Sequence, residues 1–230
     1  MVSNRLFFLL GGPAFDTIAE EFVPAAGGRS AFIVLLLFSG FKKEYLPEYI
    51  QPWIKRGVSR YHVVVPREDG AIDSDIVLAK IREATGVFIG GGPTLAYHKL
   101  YATEPIKTAI RECYYKGVPI AGMSAGALIA PDICVVGLGE KDNVSLEIVD
   151  GLGLISNIII APHFTERNGL SPMLKAMTQT KIRTGWGIDE PACAVFENGQ
   201  FIKALGKSIY EITMSDLKSR TYKILEHPAK

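Results

Sequence analysis

A serine set between glycines, with an apolar run before it and small residues after it, can carry out nucleophilic attack. Val118-Pro119-Ile120-Ala121-Gly122-Met123-Ser124-Ala125-Gly126-Ala127 reads as a strand entering Gly-x-Ser-x-Gly and leaving into the helix start Ala127-Leu128-Ile129-Ala130. A nucleophile on so sharp a strand-to-helix turn is held exposed on strained backbone, and the glycines beside it relieve the close contacts. The helix start favours developing negative charge, so Ser124 is the candidate nucleophile and the Ala125 N–H a candidate oxyanion donor. The competing structural reading is a glycine-rich packing turn with a solvent-facing serine; the strand before and the helix after weigh against it.

A serine hydroxyl needs a base, and the chain has four histidines: His62, His98, His163 and His227. His163 follows Ile158-Ile159-Ile160-Ala161 and Pro162, which puts it in a loop at a strand end, on the sheet edge of Ser124 if that strand runs parallel. His98 is expected in a helix beside Tyr97, His62 at the start of a strand and His227 in a polar tail. An imidazole base also needs its second nitrogen held, best by a carboxylate. Gly185-Trp186-Gly187-Ile188-Asp189-Glu190 ends an apolar, glycine-flanked run with two carboxylates, and either fits that role; an ordinary polar turn is the plain alternative. Phe88-Ile89-Gly90-Gly91-Gly92-Pro93-Thr94 is another strand ending in glycines. Neighbouring strand ends of a parallel sheet share one ligand-binding edge, so Gly92 is a second candidate oxyanion donor. Phosphate binding is disfavoured: Gly-x-Gly-x-x-Gly is absent, and Phe201 stands where a phosphate loop ending in Gly206-Lys207-Ser208 needs its first glycine.

These residues need a scaffold that collects strand ends. Leu6 to Leu10, Ala31 to Phe38, Tyr61 to Val65, Val87 to Ile89, Val118 to Ala121 and Asn157 to Ala161 read as strands, and their unbroken hydrophobicity implies burial on both faces. Amphipathic segments alternate with them. Phe15, Ile18, Ala19 and Phe22 follow Pro13 at helical spacing, as Ile106, Ala109, Ile110 and Cys113 follow Pro105, with Gly86 and Gly117 at expected helix ends. Pro52 predicts a kink, or two pieces, in a helix over 45–56. Ala192 to Phe196, Phe201 to Ala204 and Ser208 to Thr213, with the turn Glu197-Asn198-Gly199, predict an antiparallel extension of the sheet. The fold class is therefore α/β: a doubly wound, mostly parallel sheet with helices on both faces, in one domain over 1–230.

Composition narrows the function. The chain has 230 residues, 48% hydrophobic, and its 25 basic and 24 acidic residues give a net charge of +1 without blocks of one sign. That leaves no footprint for nucleic acid or an anionic membrane, so the expected partner is a small molecule or short peptide. Cys113, Cys134 and Cys193 form no Cys-x-x-Cys pair, which speaks against zinc and for reduced thiols in the cytoplasm. The uncharged run from Ala31 to Phe41 is shorter than the ~20 residues of a membrane helix, and Leu6 to Leu10 is too short for a signal-peptide core. The sequon Asn143-Val144-Ser145 is accordingly not expected to be glycosylated. No metal or cofactor is expected.

Gly90-Gly91-Gly92, Gly122-Met123-Ser124-Ala125-Gly126-Ala127, Pro162-His163-Phe164 and Gly187-Ile188-Asp189-Glu190, in that order, resemble the S51 serine peptidases. This is the family of aspartyl dipeptidase (peptidase E) and cyanophycinase, with a fold akin to class I glutamine amidotransferase domains. The resemblance implies a Ser-His-Glu triad of Ser124, His163 and Glu190, oxyanion donors at Gly92 and Ala125, hydrolysis of short peptides, and a homodimer. An acid after the histidine separates the chain from α/β-hydrolases, where Asp132 or Asp150 would have to serve; a glutamine amidotransferase would need cysteine at position 124. Two departures bear on substrate binding. Pro93-Thr94 stands where family members often have Asn-Thr or Asp-Gln, and of the basic residues that follow the histidine in cyanophycinase-like members only Arg167 remains. Arg167 is the candidate for holding a substrate carboxylate. The rival readings are a small-molecule esterase or amidase, and a catalytically silent binding protein that keeps the scaffold.

Overall fold

A strand that is apolar at every residue must lie between two layers, and the middle of the molecule is built that way. The computed structural model describes residues 4–138 and 145–229, so Asn143 and Val144 of the sequon lie outside the described residues. In chain order the elements are β1 (Leu6–Leu10), α1 (Phe15–Ala25), β2 (Phe32–Leu36), α2 (Leu46–Lys55), β3 (Arg60–Val64), α3 (Ser74–Glu83), β4 (Gly86–Ile89), α4 (Thr94–Tyr101), α5 (Ile106–Tyr115), β5 (Ile120–Met123) and α6 (Ala125–Leu128). They continue with β6 (Ile133–Val136), β7 (Glu147–Asp150), β8 (Ile159–Pro162), α7 (Leu170–Thr180), β9 (Thr184–Ile188), β10 (Cys193–Glu197), β11 (Gln200–Leu205), β12 (Ile209–Asp216) and β13 (Thr221–His227).

Seven strands form the large sheet in the order β11-β10-β1-β5-β4-β2-β3. The five from β1 to β3 are parallel, while β10 pairs antiparallel with β1 and β11 with β10. Alternate residues serve opposite faces, as the two-residue period of a strand requires. Phe8, Leu10, Ile33, Leu35 and Phe88 pack with Phe15, Ile18 and Phe22 of α1 and Trp53 of α2. Phe7, Leu9, Val34, Leu36 and Val87 pack with α3, α4 and α5 through Ile81, Tyr97 and Ile110. The helical periodicity that predicts α1 and α5 is the pattern that is buried: Phe15, Ile18, Ala19 and Phe22, and Ile106, Ala109, Ile110 and Cys113.

Several expectations are corrected. β8 is not in the large sheet. It pairs parallel with β9, and β9, β12 and β13 complete a separate four-stranded sheet, so of the three C-terminal strands expected from sequence only β10 and β11 extend the large one, and the third, β12, belongs to the other. Sequence reading stops short here because strand period reveals a face, not which sheet owns the strand. α2 continues through Pro52, which sits near the helix end and removes one intrahelical bond. Gly86 lies inside β4, and α3 ends instead at Ala84 in extended backbone; Gly117, with φ of +93°, does follow α5. His227 is in β13, where it meets Glu211 Oε2 at 2.9 Å and packs at a tilt against the rings of Trp186 and Phe201. Among the described residues no helix is long and apolar enough to cross a membrane.

Candidate active site

Ser124 stands at the carboxyl end of β5 with φ of +50° and ψ of −105°, strained for a residue with a Cβ. Both flanking glycines are required by close approach. A Cβ on Gly122 would stand 2.5 Å from the Gly126 carbonyl oxygen, and one on Gly126 would collide with the Ile89 carbonyl at the end of β4. The turn is fastened on both sides: Ser124 N–H donates to Leu10 O at 3.0 Å and Gly126 N–H to Gly90 O at 3.1 Å. α6 is only one turn, so any anion stabilisation there comes from its first free N–H groups rather than from an extended dipole.

His163 directly follows β8 and is also at positive φ, +51°. Its Nε2 lies 2.8 Å from Ser124 Oγ, and its Nδ1 hydrogen-bonds Glu190 Oε1. With Nδ1–H donating to the carboxylate, Nε2 is left as the acceptor for the serine hydroxyl. Register explains the meeting: Pro162 pairs with Ile188, so the loops leaving β8 and β9 run side by side. The two adjacent carboxylates part company there. Glu190 turns to His163, whereas buried Asp189 accepts from Thr165 N–H and Thr165 Oγ1, each at 2.7 Å, and ties the loop after the histidine.

Burial and the nearby Arg167 charge hold the His163 pKa below its ordinary value, against the opposing pull of Glu190 and Glu166. The imidazole is therefore neutral near pH 7 and able to accept a proton. The three cysteines are unpaired and buried, and burial raises each thiol pKa, that of Cys134 to about 12. None resembles an activated nucleophile. Among the described residues no group of three His, Cys, Asp or Glu side chains could hold a metal ion.

A cavity of about 330 Å³ opens over the serine, lined in part by Gly92, Thr94, Ser124, His163 and Arg167. Pro93 does not line it; as the residue preceding α4 it is exposed to solvent beside the opening. Ala125 is fully buried behind Ser124, so only its backbone could serve a substrate. His98 instead meets the Asp150 carbonyl oxygen at 2.9 Å, and Asp132 accepts from Ile133 N–H.

Further residues of the site were not legible in the sequence. Glu166 Oε1 accepts the Glu190 N–H at 3.0 Å. Gly12, at the end of β1, has room for no side chain because Glu190 packs there. Fully buried Tyr97 donates from its hydroxyl to Gly91 O at 3.1 Å, so the glycine strand end is held from α4. Only Gly11-Gly12-Pro13 at a strand end carried a signal; Tyr97 lies on an ordinary helix position.

A parallel α/β sheet with a serine on a strained strand-to-helix turn, linked through a histidine to a carboxylate, defines a hydrolase of the nucleophile-elbow kind. The chain belongs to peptidase family S51, whose model matches residues 35–204. It is similar to cyanophycinase of Trichormus variabilis, with 30% identity over 210 residues that make up 89% of this chain and 70% of that protein. With cyanophycinase of Geminocystis herdmanii it shares 28% identity over 210 residues, 89% of this chain and 76% of the other. The crystal structure of a peptidase from an acI-B1 Actinobacterium has the same fold, with a TM-score of 0.68 over 98% of this chain and 94% of that one at 17% identity.

Proposed function

We propose that this S51 peptidase hydrolyses short peptides, at dipeptide or isopeptide bonds next to an acidic residue, through an acyl-enzyme on Ser124. The observation that carries this reading is the linked set Ser124 Oγ, His163 and Glu190, with Ser124 and His163 lining a cavity. His163 Nε2 takes the hydroxyl proton as Ser124 Oγ attacks the carbonyl carbon. The tetrahedral oxyanion is held by the N–H groups of Gly92 and Ala125. Glu190 stabilises the imidazolium, which then hands its proton to the leaving nitrogen; water repeats the sequence on the ester and frees the enzyme.

Family membership and the similarity to cyanophycinases support an isopeptide or short-peptide substrate. Arg167 on the cavity wall supports an acidic group on the leaving side. The buried, unpaired thiols favour work in a reducing compartment such as the cytoplasm.

The test is mass-spectrometric hydrolysis of a mixed dipeptide and isopeptide library, rich in Asp-containing and β-aspartyl linkages, by wild type and Ser124→Ala in parallel. Cleavage by the wild type that vanishes in a folded Ser124→Ala protein is the expected result. Equal cleavage by both proteins removes Ser124 from the mechanism.

A further inference from the structure

A second cavity, of about 490 Å³, adjoins the one over the serine and shares Pro13, Gly91, Gly92 and Met123 with it. The rest of its wall is aromatic to an unusual degree: Phe15, Phe38, Phe41, Tyr45 and Tyr49. Phe38 forms the partition with the glycine loop, since a Cβ on Gly92 would stand 2.6 Å from its ring. Phe15 and Tyr49 pack at a tilt with ring centroids 4.3 Å apart, and Phe41 meets Tyr49 edge-on at 5.7 Å. Tyr45, in the short turn before α2, is 47% exposed and available to cover an incoming group. Lys42 and Glu48 are the charged residues on this wall and they cancel. Such a wall favours apolar rings, and beside Glu48 its single cation Lys42 leaves it without a net positive charge to draw in a carboxylate.

Direction follows from the chemistry. The leaving nitrogen must come within reach of His163 Nε2, which protonates it. His163 and Arg167 line the first cavity and not the second, so the leaving residue belongs in the first. The acyl portion of the substrate then extends the other way, past Gly92 and Met123 into the aromatic cavity.

We propose that this cavity is the acyl-side specificity subsite, taking an aromatic or large aliphatic side chain of the residue whose carbonyl Ser124 attacks. This rests on the peptidase reading above, because the orientation comes from His163 acting as general acid.

The experiment uses dipeptides Xaa-Asp and Xaa-Ala, with Xaa as Phe, Tyr, Leu, Ala, Lys or Asp, plus β-aspartyl peptides. kcat/KM is measured for wild type and for Tyr45→Ala, and peptide affinity is measured on Ser124→Ala by calorimetry. The expected result is a preference for Phe, Tyr or Leu over Ala of about tenfold or more, shrinking severalfold in Tyr45→Ala. A double variant with Phe41→Ala should extend the loss, whereas Tyr45→Ala alone is at an exposed site and keeps the fold. Ser124-dependent cleavage without acyl-side preference, or confined to acidic or β-aspartyl acyl groups, overturns the subsite and leaves the peptidase intact. If no peptide is cleaved, the peptidase reading fails. Tighter binding of Phe-Asp than Ala-Asp to Ser124→Ala, weakened by Tyr45→Ala, would then keep the cavity as an aromatic-ligand site, and equal binding would eliminate it.

Discussion

In the large sheet β2, β4 and β5 are buried at every residue, whereas β13, at the edge of the small sheet, is exposed at six of its seven. The two sheets meet at the cavity, and each brings a different kind of group. The large sheet brings Ser124 and the glycine loop, held by backbone bonds to the ends of β1 and β4 and by the buried Tyr97. The small sheet brings His163 and Glu190 on paired strand ends, held mainly through carboxylate hydrogen bonds. The proposed attacking atom thus sits on a deeply packed frame, and the proposed proton-handling groups on a frame that is thinner and partly wet. The Glu190 side chain is itself 41% exposed. Rigidity is spent where geometry must be fixed, while the proton relay tolerates a more open support.

The largest effect expected from either side is loss of the relay itself. His163→Ala should lower kcat/KM by about 10⁴-fold or more, measured in the peptide assay with circular dichroism as the check on folding. Glu190→Ala should cost less, about 10³-fold, because a half-exposed position lets water replace part of its hold on Nδ1. Equal losses at the two positions would contradict the idea that water can replace part of the half-exposed carboxylate's hold on Nδ1.

On the large-sheet side, Tyr97→Phe removes one hydroxyl and one bond to Gly91. The expected outcome is a fall in kcat of about tenfold with KM little changed, together with about 1 kcal/mol of stability in a denaturant titration. A fall in stability without any change in kcat would reduce Tyr97 to a packing role.

Arg167→Met sharpens the comparison through pH. The His163 pKa is lowered by burial and then by Arg167, so removing that charge raises it. The base must be neutral, so the acid limb of kcat/KM lies below the ordinary histidine pKa in wild type and moves to higher pH in Arg167→Met. A limb that stays put would mean that burial alone sets the basicity. The smallest effect belongs to the exposed edge: Leu225→Ser in β13 should change stability by no more than about 0.5 kcal/mol, whereas Trp53→Ala in the core between α2 and the large sheet should cost about 3–5 kcal/mol by thermal or denaturant unfolding.

How far the sequence could be read follows the same division. The central strands of the large sheet were legible because burial on both faces leaves unbroken apolar runs, as in Phe32–Leu36, whereas edge strand β3, expected to be buried on both faces, is exposed or half-buried at all but Val64. β9 and β13 were not legible, because glycines interrupt Thr184–Ile188 and Lys223 and Glu226 break up the apolar residues of Thr221–His227. Assigning β8 to the large sheet was wrong for a related reason: Ile159–Pro162 is buried in either sheet, and its pairing with β9 leaves no local mark.

At the site, residue types and their order along the chain determined a strained serine turn, a histidine at a strand end and a carboxylate pair, since each depends on local backbone and short-range spacing. Only the tertiary structure decided that Glu190 rather than Asp189 reaches His163, that His163 arrives from a second sheet, and that Tyr97 of α4 grips Gly91. Those outcomes depend on strand register and helix placement. Such long-range contacts join residues tens of positions apart, and no local periodicity encodes them.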